Sequence, residues 1–424
     1  MPKIMASQKK SFIWNLIGSG INAATTLFLT VFTTRLSGKE DAGIIGVALG
    51  LSFIVGTIGF FEVRPYQSSD VSRSFSFSDY LAHRWITCAF MIAVTAVYLF
   101  WLNGLHTDAP EKMLSVFFVC MYRMSEGYAD VYQGLFQQEE RMDLSGKSLA
   151  IHTVVSNVLF FLVLVLSGNL VIATLALFLG SVSCIFAVDR RWVRLFGVEQ
   201  KPSFDRVRLY SLFAVCLPLF LSAFMSVFEI NITKLQIERY ITDQQAYWNA
   251  LSLPAALINL FSIFVFRPML TDLSYHWIRG EYSAFQRKIL GLSGVIAAIS
   301  AATLLGGFFL GLPLLEILYG IDLSGFRTAL MLVLAGGSCN AFSNCYYYCL
   351  ALMRKQRYVL IGESVAFLFA VIASPVFVRQ GGLQGAALVY MITMFIRFFF
   401  FLLLFLIQKG KAIRAHAPNL CEER

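Results

Sequence analysis

The sequence predicts an all-α membrane protein with about twelve transmembrane helices, arranged as two six-helix bundles around a central cavity. Hydrophobic residues make up 58% of the 424 residues and charged residues only 14%, which is far from the composition of a soluble domain. Apolar runs of roughly 20 residues, each long enough to cross about 30 Å of hydrocarbon as a helix, recur along the chain. A polar stretch at 189–208 leaves six such runs on either side.

The apolar runs define the predicted spans, and the polar stretches define the domains. The twelve spans are 12–34, 42–62, 84–105, 113–136, 148–167, 169–188, 209–231, 247–269, 288–312, 326–352, 357–378 and 383–407. The first run is as long as a spanning helix and lacks a small-residue cleavage pattern, so we expect it to remain as an anchor. The predicted domains are a bundle at 1–188, a cytoplasmic linker at 189–208, a second bundle at 209–407 and a cytoplasmic tail at 408–424.

Lysine and arginine predict the orientation, because positively charged short loops are retained in the cytoplasm. With the N-terminus inside, 25 of these residues fall in inner segments and 7 in outer segments, while Arg123 and Arg397 lie within helices. Both termini are therefore predicted to be cytoplasmic, as in a multi-pass protein of the inner membrane. The net charge of +9 follows from this topology and indicates anionic membrane lipids as neighbours rather than nucleic acid.

Signals for catalysis and for cofactors are missing from the sequence. The eight cysteines lie almost all within predicted spans without paired-motif spacing, so neither disulfides nor structural zinc is expected. No phosphate-binding GxxxxGK[ST] loop is present, and the close His and Asp in HTD at 106–108 occupy a short loop. We expect a protein that is not an enzyme and has no cofactor.

Polar residues form stripes along four predicted helices. Successive helical residues rotate by about 100°, so Arg123, Glu126 and Asp130 share one face of the fourth span with Gln133 and Gln137. Similar stripes comprise Asn15, Ser19, Asn22, Thr26, Thr30 and Thr33 in the first span, Ser222, Ser226, Glu229 and Thr233 in the seventh, and Ser338 or Asn340, Asn344 and Tyr347 in the tenth. A single stripe is also explained by hydrogen bonding between packed helices. Together with charges at membrane depth, the four stripes favour a water-filled cavity.

Arg123 and Arg397 are the embedded charges that most require an explanation, since a charge near the bilayer centre costs several kcal/mol unless it is paired or hydrated. Arg123 has two interpretations: a local pair with Glu126 three residues on, which leaves Asp130 without an assigned partner, or a contact with substrate. Other charges close to the inner surface, namely Arg64, Arg267 and Glu363, are near enough to reach water with their side chains.

Several stretches carry a resemblance to a known family. They include NLIGSGINAATTLFLTVFTTRLSGKEDAGIIGVALG, GFFEVRPYQSSD, SEGYADVYQGLFQQEERMDLSGKS, NITKLQIERYITDQQAYWNALSLPAALINL, FRPML, YGIDLSGFR and GGLQGAALVY. In their order and spacing, from about residue 12 to residue 400, they resemble polysaccharide and O-antigen flippases of the multidrug, oligosaccharidyl-lipid and polysaccharide exporter superfamily.

The resemblance implies an alternating-access flippase with a cationic central cavity. Its substrate would be an oligosaccharide linked to undecaprenyl diphosphate, moved across the cytoplasmic membrane for O-antigen or capsule synthesis, with a proton or sodium gradient as the driving force. The partners it implies are the lipid-linked oligosaccharide, a polysaccharide polymerase and a chain-length regulator.

Residue chemistry assigns candidate roles within this interpretation. An anionic diphosphate needs arginine or lysine in a hydrated cavity, and sugars need amides, hydroxyls and aromatic faces. The candidate substrate-binding residues are Arg123, Lys234, Arg267, Arg397, Arg64, Asn22, Asn344 and Tyr347. The candidates for coupling an ion, or for holding those cations in place, are Glu126, Asp130, Glu229 and Glu363.

Three alternatives stay open. A drug antiporter of the same superfamily would use an acidic cavity for cationic substrates, against which the buried cations argue. A membrane-embedded polymerase or acyltransferase would be expected to carry a large outer loop or a catalytic His and carboxylate pair. A structural subunit of an export complex would need neither.

Overall fold

The protein is described by a computed structural model that covers residues 8–70, 73–106, 110–266, 269–353 and 355–416. Within these ranges all regular elements are helical, which confirms the predicted all-α class. They fall into two compact units, Met1–Val227 and Phe228–Arg424.

The first unit contains eight helices and most of a ninth. They are α1 Gln8–Ser37, α2 Lys39–Phe60, α3 Val63–Ser69, α4 Phe77–His106, α5 Pro110–Gln138, α6 Met142–Ser167, α7 Leu170–Cys184, α8 Arg190–Val193 and α9 Arg206–Tyr240. A π-helical turn at Ile185–Asp189 joins α7 to α8. Because the unit boundary falls inside α9, the predicted linker at 189–208 lies within the first unit; its role as a linker stays a prediction.

The second unit continues from α9 through six more helices. They are α10 Gln245–Phe266, α11 Leu270–Ile278, α12 Tyr282–Gly306, α13 Leu312–Tyr319, α14 Arg327–Leu352 and α15 Gln356–His416. Helix α15 bends at Gly382, whose φ of 56° and ψ of −138° belong to a backbone region that glycine alone enters without strain. The eleventh and twelfth predicted spans meet at this bend.

Most of the described residues of each predicted span are helical. Among the described residues, eight helical segments are long and apolar enough to cross a membrane, and one of them, α15, holds two predicted spans. The remaining three predicted spans are α5, α10 and α14.

The start of α4 differs from its prediction. It begins at Phe77, seven residues before the predicted 84, because Ser76 and Asp79 form reciprocal hydrogen bonds: the Asp79 backbone N–H donates to Ser76 Oγ at 3.3 Å, and the Ser76 N–H donates to Asp79 Oδ2 at 2.8 Å. This is a capping box, which starts a helix by satisfying backbone donors. The longer helix carries Arg84 inside a span instead of in a loop.

Helices α1 and α6 approach each other closely at two glycines. A Cβ atom added to Gly18 would lie 2.4 Å from the Gly146 carbonyl oxygen, and one added to Gly146 would lie 2.4 Å from the Trp14 carbonyl oxygen. Small residues let helix backbones pack this tightly in membranes. The α1–α6 contact therefore depends on glycine at both positions.

Replacing Gly146 with alanine is expected to destabilise the first unit, because the new methyl group meets backbone atoms that cannot rotate away. The expected cost is about 1–3 kcal/mol, measured as a lower midpoint of thermal unfolding in detergent. Gly294→Ala is the matched control, since a Cβ there meets nothing within 4 Å and alanine favours a helix. Equal midpoints for the two variants would contradict the close approach.

Candidate functional site

Near the middle of α5, Arg123 is paired with Glu126. The Arg123 Nη1 atom donates to Glu126 Oε2 at 2.7 Å. The other oxygen of Glu126 accepts from Asn22 Nδ2 of α1 and from the Tyr122 hydroxyl, each at 3.0 Å. Of the two interpretations of Arg123, the structure shows the local pair with Glu126. The Glu126 carboxylate accepts two further hydrogen bonds, from Asn22 and Tyr122.

Arg123 also faces aromatic rings and a small cavity. Its guanidinium carbon lies 4.9 Å from the ring centroid of Phe53 and 4.8 Å from that of Phe60, distances typical of cation–π contacts. The side chain is 25% exposed. The cavity beside it, called here the polar cavity, has a volume of about 30 Å³ and is lined by Asn22, Thr25, Thr26, Leu49, Ser52, Phe53, Tyr122, Arg123 and Glu126.

One helical turn further along α5, Asp130 binds two arginines. Its Oδ1 atom lies 3.0 Å from Arg64 Nη1 of α3, and its Oδ2 atom lies 3.2 Å from Arg84 Nη2 of α4. The Arg84 side chain is fully buried and also donates to the Gly59 carbonyl. Asp130 therefore compensates two positive charges, one of which has no access to solvent.

Arg64 joins the rest of the α5 stripe. Its donors reach Gln133 Oε1 at 2.9 Å, Gln137 Oε1 at 3.3 Å and Ser145 Oγ at 2.8 Å, in addition to Asp130. A guanidinium has five N–H donors in a fixed fork, which suits contacts with several acceptors. A single arginine thus contacts three residues of the stripe that the sequence places on one face of α5.

Two charged groups of this region were missed from the sequence. Arg84 counts as an inner-segment cation at the first position of the predicted span 84–105, and the capping box before it is the signal that places it within the helix. Asp189 was assigned to the linker, but it ends the π-helical turn and is buried. It accepts from Ser148 at 2.7 Å and lies 2.7 Å from His152 Nε2, so these neighbours account for its burial.

The second unit has its own buried cluster, centred on Arg397 of α15. Arg397 Nη2 lies 2.8 Å from Glu363 Oε1, Nη1 lies 2.8 Å from Asn340 Oδ1, and Nε lies 3.8 Å from Glu229 Oε2. The three charged side chains are at most 3% exposed. Of the two residues that the sequence left open on α14, Asn340 is the one that contacts Arg397.

The remaining candidates are less closely connected. Tyr347 lies on α14 with its ring 6.1 Å from that of Phe401, and Asn344 is half-buried on the same helix. Lys234 is half-buried on α9 and takes part in no ion pair within the described part of the chain. Arg267 lies outside the described residues.

Spanning helices in two units, with ion pairs buried inside them, define an integral membrane protein. No family model matches the chain. A search of curated proteins finds similarity to the capsular polysaccharide biosynthesis protein CapF of Staphylococcus aureus, with 22% identity over 398 residues, covering 91% of this chain and 96% of the relative.

The solved structures that resemble this chain belong to the superfamily indicated by the sequence. An inward-facing multidrug resistance MATE family transporter of the MOP superfamily aligns with a TM-score of 0.74 and 12% identity, covering 94% of this chain and 99% of the other. The lipid II flippase MurJ in an inward closed conformation aligns with a TM-score of 0.68 and 14% identity, covering 95% and 90%. This chain therefore has the fold of MOP superfamily transporters.

The Asp130 contacts predict a large difference between a buried and an exposed ion pair. Asp130→Asn removes the carboxylate that forms the ion pair with the buried Arg84, and breaking a buried pair costs about 3–5 kcal/mol of folding free energy. Glu139→Gln removes the partner of Arg73, which is 58% exposed, and should cost less than about 1 kcal/mol. Thermal unfolding of both variants in one detergent measures the contrast, and a loss for Asp130→Asn as small as that of the control would refute the assigned role.

Proposed function

We propose that the protein is a flippase that moves oligosaccharides linked to undecaprenyl diphosphate across the cytoplasmic membrane by alternating access, for O-antigen or capsule synthesis. The observation that carries this proposal is Arg123, a guanidinium in the middle of α5, the fourth predicted span, partly exposed beside a polar cavity. The similarity to CapF, a capsular polysaccharide biosynthesis protein, and to MurJ, a lipid II flippase, supports it.

Arg123 retains the capacity to bind an anion. Its hydrogen bond to Glu126 uses one Nη atom, and a quarter of its side chain remains exposed. Phosphate oxygens accept hydrogen bonds from guanidinium strongly and in pairs. Asn22, Thr25, Thr26 and Ser52 add hydroxyl and amide groups to the cavity wall, which is the chemistry that binds phosphate and sugar oxygens.

A drug antiporter is the second candidate, because multidrug transporters share the fold. A cationic drug would need an excess of carboxylate in its cavity, whereas the polar cavity has one carboxylate paired with one guanidinium. An efflux assay with cationic dyes separates the two functions. The polymerase and chain-length regulator remain expected partners of the flippase.

The role of Arg123 can be separated from that of its ion pair with three variants. If Arg123 binds the diphosphate, Arg123→Gln and the charge-neutral double variant Arg123→Gln/Glu126→Gln should both lower delivery of surface polysaccharide at least about tenfold, as expected for a lost charged hydrogen bond of more than about 1.4 kcal/mol. The assay is polymer on the cell surface at matched protein abundance in the membrane.

One control variant and one possible outcome of the double variant interpret that result. Arg73→Gln removes an exposed arginine with a carboxylate partner and should leave delivery unchanged. Recovery of delivery in the double variant would mean that Arg123 serves only to neutralise Glu126.

The cluster in the second unit is the proposed site of ion coupling. Glu229 and Glu363 together carry two carboxylates for the one guanidinium of Arg397. An excess buried negative charge is costly unless a cation or proton neutralises it. By contrast, Glu126 has its own guanidinium and Asp130 has two, so we assign those carboxylates to holding cations in place.

Replacing single glutamates with glutamine tests whether ion coupling belongs to the Arg397 cluster and not to Glu126. Glu229→Gln should remove or shift the dependence of transport on an imposed pH or sodium gradient in proteoliposomes, because it leaves one carboxylate for one guanidinium. Glu126→Gln should leave the shape of that dependence as in the parent, whatever its effect on the rate. An unaltered gradient dependence in Glu229→Gln and Glu363→Gln would exclude the cluster from coupling.

A further inference from the structure

A groove runs along the seam between α1 and α6 in the first unit. It has a volume of about 280 Å³, and its apolar lining includes Phe28, Leu29, Phe32, Val154, Val158 and Phe161. From Ile21 to Phe32, the lining residues of α1 extend over about 16 Å at 1.5 Å per residue. The α1–α6 groove therefore has the length and surface to hold a segment of hydrocarbon chain.

The polar side chains of the groove contact α1. Thr153 Oγ1 accepts from Asn22 Nδ2 at 3.3 Å, and Asn157 Nδ2 donates to Thr25 Oγ1 at 3.3 Å. Thr153 and Asn157 line the groove, whereas Asn22 and Thr25 line the polar cavity. The two compartments thus adjoin along one seam and are linked by these two hydrogen bonds.

Apolar surface alone does not explain why a particular chain would occupy the groove. Lipid tails are as apolar as the groove wall, so burial in it brings no hydrophobic gain and only packing contributes. A chain covalently attached to a head group in the polar cavity is different, because attachment raises its effective concentration at the groove. Because the polar cavity adjoins the groove, the chain expected in the groove is one whose head group binds beside Arg123.

We propose that the α1–α6 groove binds the polyprenyl chain of the lipid-linked substrate while the diphosphate contacts Arg123, in a conformation in which the polar cavity is wider than its present volume of about 30 Å³, the space of roughly one or two water molecules. This inference rests on the proposed flippase function and adds a chain-binding site to it. The charge of Arg123 is complementary to a diphosphate. The Asn22–Thr153 contact marks the end of the groove at which the head and the chain would join, since Ile21 lines the groove beside it.

The test uses photoreactive lipids on the whole protein in nanodiscs. One probe is undecaprenyl diphosphate with a diazirine in its chain, and the comparison probe is phosphatidylglycerol with a diazirine in its acyl chain. The diphosphate probe should label groove residues such as Phe28, Val154 and Val158. Excess unlabelled undecaprenyl diphosphate should reduce that labelling at least tenfold, and the phospholipid probe should not label the groove preferentially.

Matched variants connect binding to transport. Val158→Trp fills the groove, whereas Leu166→Trp adds the same bulk on the same helix at a position that is 84% exposed and outside the groove lining. We expect Val158→Trp to lower both groove labelling and transport at least tenfold, and Leu166→Trp to leave both unchanged.

The outcomes distinguish this inference from the proposed function. If the protein transports substrate but the competitor-sensitive labelling lies outside the groove, the proposed chain-binding site is wrong and the proposed flippase function is unaffected. Equal groove labelling by the phospholipid, insensitive to competitor, would make the groove a site for ordinary membrane lipid and also overturn the inference. Absence of any competitor-sensitive labelling and of transport would overturn both proposals.

Discussion

The structure depends on neutralising arginine within spanning helices. Arg84 and Arg397 are almost fully removed from solvent, and an uncompensated charge in such a place costs several kcal/mol. Asp130 of α5 holds Arg84 of α4, while Arg397 is held by Glu363, which precedes the bend in the same helix α15, and by Glu229 of α9. Because each partner comes from a different part of the chain, the helices must pack in the right register before the charges are compensated.

The two units meet this requirement in different ways. In the first unit, Asp130 forms ion pairs with both Arg64 and Arg84. Arg64 also donates hydrogen bonds to the side-chain amide oxygens of Gln133 and Gln137. With Glu62, which interacts electrostatically with Arg84 and Asp130, this cluster has two carboxylates for two guanidinium groups. In the second unit, the cluster around Arg397 has an excess of carboxylate. The two units therefore differ in the ratio of carboxylates to guanidinium groups around their buried arginines.

Much of the helical architecture could be predicted from the sequence, but the pairing of charges could not. Long apolar runs predict spans directly, since only helices satisfy their own backbone in lipid, and the shared face of Arg123, Glu126 and Asp130 follows from helical periodicity. The contact between Asp130 and Arg84 joins residues 46 apart in sequence, and no local pattern encodes it. Arg84 was missed because charge counting assigns a residue at a span boundary to a loop, whereas the capping box extends the helix past it.

The surroundings of Glu126 explain how Arg123 could exchange one anion for another. If Arg123 turned towards a diphosphate, Glu126 would lose a charged partner but keep the hydrogen bonds from Asn22 and Tyr122. Separating Arg123 from Glu126 costs less free energy when the carboxylate keeps two hydrogen-bond donors than when it keeps none. The donors from Asn22 and Tyr122 therefore lower the cost of moving Arg123 to another anion. Asn22 also donates to Thr153 at the edge of the α1–α6 groove. A substrate head group at Arg123 would therefore lie beside the same asparagine that links the polar cavity to the α1–α6 groove.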